Sequence, residues 1–184
     1  MKAQEPPMTE ITLETDRLLL RPWRVDDFEA YSRICADVEV MRYLNEAKPF
    51  TRLEAWRSMS QHVGHWCLRG FGHWAVEEKA TGEFIGRIGF LHPEGWPGFE
   101  LGWTLRRESW GRGYATEGAR WALAYAFTDM GRDHVISLIL PTNTPSMRVA
   151  ERLGETPEGT TAFLGKEHLV YGIDRERWRA ANGP

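Results

Sequence analysis

FELGWTLRRESWGRGYATEG, residues 99–118, passes from a two-residue period to a helical one through a loop that has glycine at alternate positions. Phe99 to Leu105 reads as a strand whose alternation sets Glu100, Gly102 and Thr104 on one face and Leu101, Trp103 and Leu105 on the other. Beyond the loop, Ala115, Ala119, Ala122, Leu123, Ala126 and Phe127 trace one helical stripe, closed by Gly131. A helix N-terminus carries untaken N–H groups and about half a positive charge, so a loop that lets a ligand reach its backbone becomes an anion cradle. Gly111, Gly113 and Ala115 remove the side chains that would block that approach, and phosphate is the expected guest. The same glycines also suit a tight strand-to-helix turn with no ligand, and the loop by itself leaves both readings open. A Walker loop needs Lys-Ser or Lys-Thr after its last glycine, where Tyr114-Ala115 stands. A dinucleotide fingerprint needs a third glycine where Thr116 stands. Neither ATP nor NAD is favoured.

Working outward, Thr12 to Trp23 has a compact apolar centre ending at Pro22 and reads as one strand. Asp26 and Asp27 open a helix through Phe28, Tyr31, Ile34 and Cys35 that continues unevenly towards Leu44. Thr51 and Glu54 form a capping-box pair opening a second helix, with Trp56, Met59, Val63 and Trp66 inward. His73 to Lys79 and Glu83 to Phe90 make a hairpin across Ala80-Thr81-Gly82. On the other side, His134 to Leu140 is a buried strand running into Pro141-Thr142-Asn143-Thr144-Pro145, and a helix from about Ser146 ends at Gly154. A closing strand pair, through Phe163 and then His168 to Ile173, precedes a short polar tail. Helices following strands imply right-handed crossovers and a partly parallel sheet, while the hairpin is antiparallel.

With 184 residues, 42% of them hydrophobic, the chain suits one well-cored α/β domain. Its formal charge of −3 recruits neither nucleic acid nor an anionic membrane, so any anion site is local. No apolar run approaches the ~20 residues that span a bilayer, and MKAQEPPMTE lacks a signal peptide's apolar centre, so the expectation is a cytoplasmic protein. Cys35 and Cys67 lack metal-type spacing and read as reduced thiols filling space. His62 and His65, one helical turn apart with Cys67 behind, find no carboxylate to complete a set, and no metal is expected.

Residues 99–118 resemble the fourth strand and pyrophosphate loop of GCN5-related N-acetyltransferases, and the Tyr114-Ala115-Thr116-Glu117 tail points to the branch of the ribosomal-protein N-terminal acetyltransferases. PTNTPSMRVAERLG, residues 141–154, is similar to that branch's asparagine, serine and arginine-valine motif, and TDRLLLRPW and WAVEEKATGEFIGRIGF fit as well. The resemblance implies a single-domain fold with a mixed seven-stranded sheet, splayed between its fourth and fifth strands and flanked by about four helices. The domain would occupy residues 12–178, between polar tails at 1–11 and 179–184. It implies that backbone N–H groups of Gly111, Arg112, Gly113, Tyr114, Ala115 and Thr116 hold the pyrophosphate of acetyl-CoA. Trp103, Thr104 and Leu105 would line the pantetheine arm through main-chain bonds, Asn143 would steady it, and the Arg112 side chain would meet a phosphate or face water.

The implied reaction moves an acetyl group from the thioester to a primary amine by direct attack. Deprotonating a lysine-like ammonium at pH 7 costs about 4.6 kcal/mol, against about 1 for an α-amine, so the acceptor decides how much base is needed. Glu100 is the candidate base, or else holds a neighbouring arginine. Ser146 matches the position that assists the departing thiolate, and it also suits the N-cap of its helix. A main-chain N–H of the Phe99 to Leu105 strand would polarise the thioester carbonyl. His168 and Tyr171 lie where the acceptor pocket closes, and Trp56, Trp66, Trp74 and Trp96 either line that pocket or pack. The acceptor, a small-molecule or peptide amine, and formation of a homodimer stay open. A non-catalytic acyl-CoA-binding module on the same fold is the competing reading.

Overall fold

The computed structural model describes residues 11–44 and 47–183. The polar tail read at the amino terminus lies almost wholly outside them. One mixed sheet of eight strands runs in the order β1-β2-β3-β4-β5-β6-β8-β7: β1 Leu13–Glu14, β2 Leu18–Arg21, β3 His73–Glu78, β4 Glu83–Leu91, β5 Glu100–Leu105, β6 His134–Ile139, β7 Thr156–Phe163 and β8 Lys166–Asp174. The helices are α1 Asp27–Ala36, α2 Val38–Met41, α3 Arg52–Arg69, α4 Tyr114–Thr128, α5 Thr144–Leu153 and α6 Arg175–Asn182. No helix among the described residues is long and apolar enough to cross a membrane.

The eighth strand arises because the expected first strand is two. The chain turns at Thr15, whose hydroxyl takes the Leu18 N–H at 2.8 Å, and Leu13 comes back to pair with Leu20. The helix count also exceeds expectation. The first helix stops at Ala36 because Asp37 is extended there (ψ 118°) and its carboxylate caps a new short helix through the Glu39 N–H at 2.8 Å. The closing polar tail is helical as well, anchored by the buried Trp178 against Phe127.

Two layers of helix sandwich the sheet. On one face α4 lays its alanine stripe on Leu18, Leu20, Ile88 and Phe90. A Cβ on Gly118 would stand 2.6 Å from Ile88 Cδ1, so the helix sits that close only because the position is glycine. On the other face α1 and α3 pack Tyr31, Ile34, Cys35, Ala55 and Met59 over Ala75 and Phe84. The capping box forms as read: Thr51 Oγ1 takes the Glu54 N–H, and Glu54 Oε2 takes the Thr51 N–H at 2.7 Å. The inward face of α3, however, is Ala55, Met59, His62 and His65, rotated from the expected stripe. Trp56 is left 45% exposed, edge-on to Phe28. Small Ala55 lets α1 approach, and both histidines are buried, His62 with its Nδ1 left without a hydrogen-bond partner among the described residues. His62 stacks on Trp23, and His65 bonds Phe71 O at 2.7 Å while its other nitrogen accepts the His92 N–H at 3.2 Å. Cys35 fills space as expected, but Cys67 is exposed.

Asp26 makes no side-chain cap to α1. Asp27 is buried instead and grips the buried Arg21 with both oxygens, at 2.7 and 2.9 Å, while Arg21 also reaches Glu77 at 2.8 Å. That pairing fastens α1 to the sheet with its charges satisfied.

Candidate active site

The phosphate-loop reading rests on which amides remain free. Arg107–Ser109 forms a 3-10 turn after β5, the Trp110 N–H returns to Arg107 O, and the backbone then turns left-handed at Gly111 (φ +71°) and again at Gly113 (φ +82°). The first amide taken in α4 is that of Glu117, by Gly113 O at 3.0 Å. Among the described residues, the N–H groups from Gly111 to Thr116 find no protein acceptor.

Side chains hold this loop from beneath. The buried Glu78, at the end of β3, accepts the Tyr114 hydroxyl and pairs with Arg112 at 2.8 Å. The Tyr114 hydroxyl first, and the Arg112 and Arg106 charges with it, hold the Glu78 carboxyl below the usual range. Glu117 takes the Thr15 hydroxyl at 2.6 Å and both the main-chain N–H and the guanidinium of Arg17, at 3.0 and 2.7 Å. Arg17 continues to Arg112 O at 3.0 Å and lies over the Tyr114 ring. The Arg112 side chain is therefore engaged with Glu78 and Tyr114, and its role in the loop is structural as well as electrostatic.

β5 and β6 part where the sequence reading put the splay. They share a single parallel pairing, Glu100 with Ile136. Phe99 O accepts the Ile136 N–H, and Leu101 O accepts no further main-chain group of β6 but the Ser137 hydroxyl, at 2.9 Å. Odd-numbered residues of β5 thus turn their main chain towards β6, while even-numbered ones face β4, a set continued by Arg106 N–H to Ile85 O. The main chain of residues 103–105 is accordingly divided. Trp103 turns its N–H and C=O to the gap, Thr104 commits its own to β4 opposite Arg87, and the Leu105 carbonyl is taken by the Trp110 indole at 2.9 Å.

The gap opens into a cavity of about 600 Å³ lined by Glu100, Gly102, Trp103, Asn143, Ser146 and His168, with His73, Arg87, Trp96 and Phe163 also on its wall. Glu100 forms no ion pair with an arginine among the described residues. Its Oε2 accepts the Trp96 indole N–H at 2.5 Å. Loss of water pushes its pKa up to about 7, against the pull of that N–H, of Arg87 and of the Leu138 amide. Ser146 does not cap its helix. The cap is Asn143, whose Oδ1 accepts the Ser146 N–H at 3.3 Å, because Pro145 occupies the first turn and moves the start of α5 upstream. The Ser146 hydroxyl is left facing the cavity. Tyr171 packs with Ile139 and Ala150, Trp74 is core, and the Trp66 indole bonds His73 O at 2.9 Å.

Four polar residues of this region escape the sequence. His73 and Arg87 arrive beside Glu100 by strand register, His73 opposite Gly89 and Gly89 opposite Gly102. Ser137 and Glu155 meet behind the splay. Ser137 Oγ lies 3.1 Å from Glu155 Oε1, and burial raises the Glu155 pKa to about 8. One hydroxyl proton cannot serve both Leu101 O and Glu155, so the Glu155 carboxyl supplies its own.

The sign of the pH effect follows. Glu155 is protonated in the folded protein up to about pH 8 but ionised above about 4.5 in the unfolded chain, so stability falls as pH rises through that window. Glu155→Gln keeps a donor and removes the titration. It is expected to match the parent within about 1 kcal/mol at pH 5 and to exceed it by roughly 2 kcal/mol or more near pH 8.5. Urea denaturation at the two pH values measures this; a constant difference refutes it.

Comparison with known proteins gives matching results. The model of the acetyltransferase (GNAT) domain family matches residues 17–156. An N-acetyltransferase, p20, of Bacillus licheniformis is 33% identical over 150 residues, covering 80% of this chain and 84% of its own. The crystal structure of an acetyltransferase from Agrobacterium tumefaciens superposes with a TM-score of 0.79 at 33% identity, over 89% of this chain and 94% of that one. RimJ of Mycobacterium smegmatis, solved in complex with CoA-disulfide, shares the fold at a TM-score of 0.73 and 22% identity, over 96% and 97%.

Proposed function

The chain belongs to the GNAT acetyltransferase family and is an N-acetyltransferase, and from that premise we propose that it acetylates a primary amine by direct attack on acetyl-CoA held in the β5–β6 gap. The observation that carries this reading is the continuity of three features: untaken amides at the mouth of α4, the open main chain of Trp103, and a carboxyl of raised pKa on the cavity wall.

Acetyl-CoA supplies the acetyl group as a thioester. The amides from Gly111 to Thr116 receive its pyrophosphate, and a loop already fixed by Glu78, Arg17 and Glu117 need not be ordered at binding. The Trp103 main chain aligns the pantetheine arm, and Asn143, whose Oδ1 is engaged in the helix cap, offers its amide NH₂. Glu100 takes the proton that the acceptor ammonium must lose, and a pKa near ambient pH suits it to the task. The Ser146 hydroxyl donates to the departing sulfur, whose thiolate has a solution pKa near 8.5.

Thiol release from acetyl-CoA against peptide N-termini, polyamines, amino acids and aminosugars tests the reading. Turnover with at least one class is expected, and silence across the panel, with coenzyme binding intact, would favour the non-catalytic acyl-CoA-binding module instead.

A further inference from the structure

The side of the cavity facing α1 and α3 holds a cation that Glu100 feels through space but with which no carboxylate forms a salt bridge among the described residues. Arg87 lines the cavity half-buried, forms no salt bridge among the described residues, and leaves its Nε buried without a hydrogen-bond partner. Among the described residues its polar contacts are with His73, the shorter from Nη1 to Nδ1 at 2.6 Å. That nitrogen accepts from the guanidinium and so carries no proton. The imidazole is neutral, as burial and the Arg87 charge both require. His73 in turn is wedged over Gly102, where a Cβ would stand 3.2 Å from its Nε2, and against the buried His62 ring at 4.9 Å. A neutral ring clamped from three sides positions the guanidinium without neutralising it.

A half-buried guanidinium that forms no salt bridge favours an anion beside it. Among the described residues on the cavity wall, Arg87 and Lys166 are the fixed cations and Glu100 the single carboxyl. The pantetheine arm that would enter from the α4 side is uncharged and cannot supply the anion. The missing charge therefore belongs to the other substrate.

We propose that the acetyl acceptor is a free amino acid, its carboxylate bound by Arg87 while its amine is presented to Glu100. This rests on the acetyltransferase reading of the same cavity. With Nη1 engaged by His73 and Nε buried, Nη2 is the donor left for a charge-assisted bond to a carboxylate oxygen. Trp96 and Phe163, edge to face at 4.5 Å, with Leu91 close by, give the amino-acid side chain an apolar wall. Polyamines and neutral aminosugars bring no anion and would set a second cation or an uncharged group against Arg87. A peptide N-terminus places a neutral amide where the carboxylate belongs.

The test uses leucine, methionine and phenylalanine, each as free acid and as carboxamide, titrated into the protein saturated with coenzyme A. The free acids are expected to bind at least ten-fold more tightly than their amides, and to be acetylated with at least ten-fold higher kcat/KM. The amides have the less basic and more available amines, so chemistry alone would favour the reverse. Arg87→Gln is expected to bring the acid-to-amide binding ratio near one, and Arg87→Lys to restore part of it, with coenzyme affinity measured in each variant as the check on folding. Equal binding of acid and amide, or a ratio untouched by Arg87→Gln, overturns the inference. So does tight binding confined to peptides with acidic side chains. Because binding is read without turnover, loss of preference and loss of catalysis are separate results: the first refutes the amino-acid acceptor, the second the acetyltransferase reading.

Discussion

Gly113→Val is expected to abolish detectable coenzyme A binding, at least a hundred-fold in affinity, while the protein remains folded. Gly113 sits at φ +82° as the cap of α4, a conformation that costs a β-branched residue about 1–3 kcal/mol. The valine relieves that strain only by rotating the loop, which turns the amides of Arg112 to Ala115 away from a common point. A Cβ there would meet Arg17 Nη2 at 3.5 Å, ordinary contact, so the loss is of backbone aim and not of packing. Calorimetry with coenzyme A, beside a thermal unfolding curve, separates the two. Unchanged affinity in the folded variant would remove the cradle from the mechanism.

Glu100→Gln should cost about 10²–10⁴ in kcat/KM with little change in coenzyme affinity. The loss is expected to grow with the basicity of the acceptor, because a lysine-like amine must shed a proton at about 4.6 kcal/mol and a peptide α-amine at about 1. The parent's kcat/KM is expected to rise with pH through about 7, as the Glu100 carboxyl ionises, and the variant's profile to lack that limb. Stability moves the opposite way: the folded carboxyl holds its proton above the unfolded value of 4.5, so ionising it between there and about 7 weakens the fold. A variant with the same limb would assign it to another group and remove Glu100 from the role of base.

Much of this architecture was legible because it is written in local patterns. The alanine stripe of α4, the capping box of α3 and the glycine-closed hairpin are each set by residues within a few positions of one another. The splay was read in the right place through resemblance to a family, which spacing alone did not supply. What escaped depends on register and on distant partners. Arg87 and His73 face Glu100 only because β3, β4 and β5 pair as they do. The break of the first strand was hidden because Leu13 lies only a few residues before Leu18 to Leu20, and the turn between them depends on a hydroxyl, Thr15, answering Glu117. The rotated face of α3 is not visible in the three- and four-residue spacing, because it depends on distant partners: Phe71 O for His65 and the Trp23 ring for His62.

The clasp between Glu117 and Arg17 joins positions a hundred residues apart. The anion cradle therefore exists only once the amino-terminal hairpin has docked, and a nascent chain or a fragment starting after it would carry the glycine motif without the grip. By mass action, ligand captured at the loop returns as added resistance to unfolding in that remote hairpin, so the two ends of the domain report on each other's occupancy.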